Sequence, residues 1–316
     1  LAWHGEVGFD LCHQVTIAGW RMPSPLWRMP IPFVWGPIGG AGHIPKEFRG
    51  MLSPQARLFE YARDFNTWWT LRCRAFRECI TNTAVVFAAN QETEELLKPH
   101  RGDSPLIRLP IASLPAEKAE TFRRKSGEPR VGPVRLFAGG NMEGRKGVSL
   151  ALKALARVKT RGLDFRYTVA GGGPEVDSLR GLASSLGLDD FVRFHPGFSG
   201  DDYIRELQDS DIYFLPSFRE STPVTLLEAY LAGCFPIVAD TSAQGEIVRL
   251  VGGVAVPTTD QESLIEGLAK AVIDAAAMRD ELPQLVHASR LRLLDHFDST
   301  RYEQVVEDAY RTATGS

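Results

Sequence analysis

Apolar and polar positions follow two alternating rhythms from residue 134 to residue 256. Short apolar runs at 134–138, 165–170, 192–194, 212–215, 235–239 and 253–256 read as buried strands. Between them, 148–160, 176–186, 202–208, 225–232 and 245–250 carry helical spacing. Strands separated by helices imply parallel pairing with right-handed crossovers, so this half predicts a doubly wound α/β sheet. Helical segments at 264–273 and 301–312 follow, with amphipathic spacing.

The first part of the chain is less regular. Residues 9–12 read as the end of a short strand, followed by His13. A loop rich in proline and tryptophan spans 21–30. Residues 31–35 then form a predicted strand that ends in Gly36-Pro37-Ile38-Gly39-Gly40-Ala41-Gly42. A helix is expected over 54–79, with Leu58, Tyr61, Phe65, Trp68 and Trp69 at three- and four-residue spacings. A strand at 84–88, a helix at 90–98 with early acidic residues, and a short strand at 107–111 interrupted by Pro110 complete this part. The charged stretch 115–133, which contains proline and glycine, reads as a linker. The chain opens at Leu1 with a segment that reads as the middle of something, and an amino-terminal truncation is expected.

Composition narrows the function classes. At roughly 100–200 residues per domain, 316 residues suggest two domains. The 36 basic and 39 acidic residues leave a net charge of -3, which gives no footprint for bulk nucleic-acid binding. No apolar run approaches the roughly 18–20 residues of a membrane span. Cys12, Cys73, Cys79 and Cys234 are scattered, with no CxxC pair, so neither a zinc knuckle nor a disulfide framework is implied and a reducing compartment fits.

In a doubly wound sheet, ligands bind at the carboxyl ends of the strands. The first such loop is Gly139-Gly140-Asn141-Met142-Glu143-Gly144-Arg145-Lys146-Gly147. Its glycines permit close approach of backbone amides to phosphate, and its two cations add positive potential. A solvated turn is the equal alternative. The next is Gly171-Gly172-Gly173-Pro174, either a surface for close ligand approach or a tight turn with proline at the first helical position. It is not a GxGxxG dinucleotide fingerprint. The third loop carries Glu220, with Glu228 on the helix that follows. A carboxylate flanked by Leu226, Leu227 and Tyr230 needs a donor if buried, and a ligand hydroxyl is one candidate.

Glu220 and Glu228, with seven residues between, resemble the Glu-x7-Glu motif of retaining glycosyltransferases of family 4, which have the GT-B architecture. The continuation Ala229-Tyr230-Leu231-Ala232-Gly233-Cys234-Phe235-Pro236-Ile237-Val238-Ala239 is similar to that family's EA-x-x-x-G-x-P-V-V-A pattern. Lys146-Gly147, Gly171 to Pro174, Asp211-Ile212 and Pro216-Ser217 match further segments in the expected order. Asp10 to His13 and Pro32 to Pro37 resemble the family more loosely.

The resemblance implies a GT-B-like α/β fold of two Rossmann-like domains with a cleft between, the amino-terminal one incomplete. The expected boundaries are 1–115 for the acceptor-side domain, 116–133 for the linker and 134–298 for the nucleotide-sugar domain. A terminal helix at 299–316 is expected to cross back to the first domain. The implied reaction moves a sugar from a nucleotide-diphosphate sugar to an acceptor hydroxyl with retention of configuration. Glu220 and His13 are the implied catalytic residues. Gly140, Asn141, Arg145, Lys146, Gly172, Ser221, Thr222, Val224 and Glu228 are the implied donor-binding residues. Lys146 would contact the pyrophosphate, Glu228 the ribose and Glu220 the sugar. Amides near Gly139–Gly140 and at the helix after Thr222 would meet phosphate, where negative charge grows on the leaving group. No cofactor and no metal are expected, because no Asp-x-Asp stands at a strand end. The acceptor class stays open between glycan, lipid-linked and small-molecule hydroxyls. The expected place is cytoplasmic, at the inner face of a membrane, with peripheral membrane contact and no nucleic-acid partner.

Three positions depart from the family. Asn141 and Gly140 stand where an arginine is usual, Pro223 where glycine is frequent, and Val15 where a histidine is frequent. A donor-binding but inactive chain is therefore the alternative reading. A sugar-nucleotide epimerase or an inverting transferase is a third, opposed by the Glu-x7-Glu spacing. The loop 36–43 reads as a structural turn or an acceptor-facing loop. His195 reads as a core or surface residue or as a cleft residue. The 54–79 segment, with Arg57, Arg63, Arg72, Arg74 and Arg77 beside its aromatics, reads as a packed helix in preference to a membrane-surface helix.

Overall fold

The structure, a computed structural model, describes residues 7–16, 18–123 and 131–315. The strands in chain order are β1 (Cys12–Gln14), β2 (Phe33–Ile38), β3 (Val85–Ala88), β4 (Leu106–Arg108), β5 (Val134–Gly139), β6 (Phe165–Ala170), β7 (Val192–His195), β8 (Ile212–Phe214), β9 (Phe235–Ala239) and β10 (Val254–Val256). The helices are α1 (Pro54–Arg72), α2 (Arg74–Asn82), α3 (Gln91–Leu97), α4 (Ala116–Thr121), α5 (Val148–Thr160), α6 (Val176–Ser185), α7 (Gly200–Gln208), α8 (Val224–Ala232), α9 (Ser242–Val251), α10 (Gln261–Ala277), α11 (Leu282–His296) and α12 (Ser299–Thr314). The chain divides into two compact units. One is built from Leu1–His43, Pro54–Ser113 and Phe297–Ser316, the other from Ile44–Ser53 and Leu114–His296.

The first unit holds a parallel sheet in the order β1-β2-β3-β4. Side chains alternate across its faces, as the two-residue period of a strand requires. Phe33, Trp35 and Val86 pack on one side with Trp20, Phe76 and Ile80. Val34, Val85 and Phe87 pack on the other against Ala309, Val305 and Val306 of α12. The last helix thus completes the core of the first unit, and Asp298 caps its start by accepting the Arg301 amide at 2.8 Å. Buried Arg101 donates to the carbonyls of Ile80, Thr83 and Pro105, and burial lowers its pKa to about 10.

The second unit holds a parallel sheet in the order β10-β9-β8-β5-β6-β7. The chain runs outward from β5 to β7, then returns to β8 on the other side of β5 and runs outward again. The order therefore reverses between β5 and β8, the point where such sheets bind ligands. The long parallel strands are buried on both faces except for Arg135 and Arg166 near their amino ends.

The structure corrects several expectations. The helix expected over 54–79 is two helices, separated at Cys73, whose extended backbone (ψ 135°) precedes α2. Its large apolar residues lie in solvent, not in the core: Leu58, Tyr61, Phe65, Trp68 and Trp69 are all exposed. Residues 44–53 belong to the second unit because Phe48 stacks on Phe218 at 4.8 Å and the Glu47 carbonyl accepts from Gln261. Within the stretch read as a linker, residues 116–121 form α4 of the second unit, anchored by buried Ala119 and Phe122. The charges around those two anchors hid them. Residues 124–130 lie outside the described residues. The strand at 9–12 falls instead at β1, and that at 31–35 extends to Ile38.

Candidate functional site

The loops after β5 and β8 meet at the switch point of the second sheet. Glycine makes the approach possible. Gly147 has φ +66°, and a Cβ there would stand 2.1 Å from the Pro216 carbonyl oxygen. The Phe218 amide donates to the Arg145 carbonyl at 2.7 Å, and Ser217 Oγ lies 3.1 Å from the same oxygen. These contacts clamp the two loops together. The loop after β6 is drawn in likewise: Gly171 has φ +130°, with the Gly140 carbonyl where its Cβ would be.

Glu220 sits at this junction. Its Oε1 accepts from Lys146 Nζ at 2.6 Å and from Ser217 Oγ at 2.8 Å, with Arg145 at 3.5 Å. The Glu220 amide donates to Ser242 Oγ at 3.0 Å, fixing the backbone as well. Lys146 is buried. Arg145 is shared: its Nε donates to Glu143 at 2.8 Å and its NH1 to the Arg219 carbonyl at 3.0 Å. The site thus holds two adjacent cations against a carboxylate from a different strand end.

Glu228 is a second half-buried carboxylate, on α8. Tyr203 donates to its Oε2 at 2.7 Å, and Lys118 of α4 stands 2.8 Å from its Oε1. Burial, then the Glu228 charge, push the Tyr203 pKa well above its ordinary value, so the phenol stays a donor. An open cavity of about 500 Å³ lies at these loops, lined by Gly139, Gly140, Asn141, Gly172, Phe198 and Tyr203 among others. A Cβ at Gly140 would stand 3.3 Å from Lys146 Nζ, so the ammonium lies close beside a glycine that lines this cavity.

The structure brings most of the predicted residues together. Gly140, Asn141 and Gly172 line the cavity, Arg145, Lys146 and Glu220 form the charged junction, and Glu228 lies behind Tyr203. Ser221 and Thr222 are half-buried in the loop that follows Glu220, and Val224 is exposed at the start of α8. His13 is not among them. It lies in the first unit, its Nε2 at 2.7 Å from the Gly36 carbonyl and its Nδ1 at 2.7 Å from the Tyr310 hydroxyl. Burial lowers its pKa, so the neutral ring donates to Gly36 and accepts from Tyr310.

The expected phosphate amides are differently employed. The Gly140 amide donates to the Ala170 carbonyl at 3.0 Å, and the Val224 amide to the Thr222 carbonyl at 2.9 Å. Gly140 contributes room and not a donor, because pairing with β6 continues one residue past the strand. Sequence reasoning did not single out Lys118, Tyr203 and Phe198, and named Ser217 only within a matching segment. Lys118 lay in the apparent linker, and Tyr203 lay on a helix with no motif. His195 is half-buried and stacks on Phe198 at 3.8 Å beside the cavity.

A second cavity of about 500 Å³ opens at the amino ends of β5, β6 and β7. Its arginines face carboxylates: Arg166 with Asp164 at 2.9 Å and Arg193 with Glu206 at 2.7 Å. Among the described residues, no group of three or more His, Cys, Asp or Glu side chains gathers as a metal site would require.

Two parallel α/β units, one with a charged site at its switch point, define a protein of the GT-B class. Residues 118–284 match the family described as Glycosyl transferases group 1, and the chain belongs to that family. A putative colanic acid biosynthesis glycosyltransferase, WcaL of Escherichia coli, is 31% identical over 176 residues, covering 52% of this chain and 42% of the relative. A D-inositol 3-phosphate glycosyltransferase of Saccharomonospora viridis is 32% identical over 203 residues, covering 60% and 45%. The chain spans less than half the length of these curated relatives. Among solved structures, a sucrose-phosphate synthase of Thermosynechococcus elongatus aligns with TM-score 0.68 at 18% identity, covering 98% of this chain and 75% of that one. That likeness concerns the fold.

Proposed function

We propose that this chain transfers a sugar from a nucleotide-diphosphate sugar to an acceptor hydroxyl with retention of anomeric configuration. The observation that carries the reading is the pair of carboxylates at one strand end, Glu220 held by Lys146 and Ser217, and Glu228 held by Tyr203 and Lys118. Tyr203, the donor to Glu228, and Gly140, beside Lys146, both line the glycine-walled cavity, which supports a donor lying along it. In this reading the ribose hydroxyls donate to Glu228. The diphosphate lies against Lys146 and Arg145, which offset charge as the bond from the anomeric carbon to the phosphate oxygen breaks. Glu220, oriented by its three donors, faces the sugar. The acceptor oxygen then bonds to the same face of the anomeric carbon, and its proton leaves with the diphosphate. His13, of the first unit, is the second proposed catalytic residue. The acceptor is a glycan, lipid-linked or small-molecule hydroxyl, and the work is done at the cytoplasmic face of a membrane, without a cofactor. The relatives, one named for colanic acid biosynthesis and one a D-inositol 3-phosphate glycosyltransferase, support glycan or small-molecule glycosylation as the setting.

The test is calorimetric binding of UDP, GDP and ADP to the wild type and to Glu228→Ala. One nucleotide is expected to bind, with affinity reduced by about 1.5–3 kcal/mol in the variant, the worth of a hydrogen bond to a charged group. Turnover with the matching donor class, followed by analysis of the product anomer, then tests transfer and retention. Binding without turnover favours the inactive, donor-holding alternative. No nucleotide binding at all sinks both.

A further inference from the structure

Helix α1 is built inside out. Its inward side is polar: Glu60 and Thr70 are buried, and Arg63 donates to the carbonyls of Gly40 and Gly42. Arg21 donates to Thr67 Oγ1 and to the Gly40 carbonyl, pinning the same side. Its outward side carries Leu58, Tyr61, Phe65, Trp68 and Trp69, each between 49% and 69% exposed. Their spacing of three, four and one places them on one stripe of a 3.6-residue helix. The stripe is ordered. Phe65 stacks on both Trp68 and Trp69, and the Arg72 guanidinium lies over the Trp68 ring at 4.5 Å.

Exposed apolar stripes of this size mark an interaction surface. The charges around it select the occupant. Arg72 lies at the carboxyl end of the stripe, where Arg28, Arg74 and Arg77 gather with Glu78 as their acidic neighbour; Arg57 at the amino end and Asp64 beside the stripe are half-buried. Two such faces brought together in a symmetric dimer would set arginines against arginines. An anionic lipid surface pairs the same arginines with phosphates and gives tryptophan and tyrosine the interfacial depth they favour. Among the described residues no helix is long and apolar enough to cross a membrane, so the contact is one that lies on the surface.

We infer that the outward face of α1 docks the protein on anionic lipid, with its aromatic stripe at headgroup depth and its arginines on lipid phosphate. The inference deepens the membrane-face placement in the proposed function and rests on that reading for its purpose alone. The tryptophans needed to see it are native: all six precede residue 70.

The experiment uses the whole chain with vesicles of phosphatidylglycerol and phosphatidylcholine, and with phosphatidylcholine alone, read by co-sedimentation and tryptophan emission. Binding to the anionic vesicles with a blue shift, weakened by salt, is expected. Phe65→Ser/Trp68→Ser/Trp69→Ser and Arg72→Glu/Arg74→Glu should each lower it roughly tenfold or more. Circular dichroism and nucleotide calorimetry on both variants should match the wild type, so a failed donor site and a failed membrane contact are separately visible. Anionic vesicles that recruit no protein, or variants that bind them as tightly as the wild type, overturn the inference. So does a lipid-free dimer that the triple variant dissociates, since the stripe would then be an interface between copies.

Discussion

Three donors converge on a single oxygen of Glu220, and that arrangement sets what substitution there does. Removing Lys146 leaves a carboxylate, 12% exposed, facing Ser217 and a more distant Arg145. Lys146→Met should therefore cost about 2–4 kcal/mol of stability, as broken part-buried pairs do, and abolish turnover. Lys146→Met with Glu220→Gln should recover most of the stability and none of the activity. Urea midpoints and donor turnover on the double-mutant cycle check both statements. His13 carries a pH prediction. Burial lowers its pKa below the ordinary 6.5, so the unfolded chain takes up the proton first as pH falls. The neutral ring's contribution is complete above that value and is lost as acidification proceeds from 6.5 down through the folded-state pKa. Melts followed by tryptophan emission at about pH 7.5 and 5.5 should show this loss, and His13→Gln should remove it.

The elements divide into those whose apolar residues face a core and one whose apolar residues do not. Phe65→Ser on α1 should change stability by less than about 0.5 kcal/mol, because the ring is 63% exposed. A packed helix would lose about 3 kcal/mol or more at such a position, so the urea midpoint separates the two descriptions. At the start of α5 the reverse holds for a small residue. Gly147→Ala adds a Cβ 2.1 Å from the Pro216 carbonyl in a left-handed backbone, and should cost about 2 kcal/mol or more. Nucleotide affinity should fall with it, since the clamp between the loops after β5 and β8 must open to admit the methyl group.

Across the whole molecule, the two units draw on non-contiguous parts of the chain. The first is completed by α12, whose Ala309, Val305 and Val306 cover Val34 and Phe87. A chain ending at His296 should lose the first unit's cooperative melt while the second still binds nucleotide. Tryptophan emission and calorimetry report these separately, because every tryptophan lies before residue 70.

The sequence alone determined the alternating strands and helices of the second unit, since buried parallel strands read as short apolar runs between amphipathic helices. It also singled out the residues proposed as the site's members. Glu220, Glu228, Lys146 and the glycine turns lie in strand-end loops, where local spacing and side-chain chemistry are visible in one dimension. Only the tertiary structure decided their partners. Tyr203 and Lys118 met Glu228, and Lys146 met Glu220, through contacts between elements far apart along the chain, and no local pattern encodes such a contact. Lys118 was hidden by its charged surroundings, although Ala119 and Phe122 anchor it to the second unit. The orientation of α1 was likewise undecidable from periodicity, which gives the stripe but not the direction it faces. The hydrogen bonds of Arg21 and Arg63 to Thr67 and to the carbonyls of Gly40 and Gly42 turned its polar side inward, and left the aromatic side to solvent.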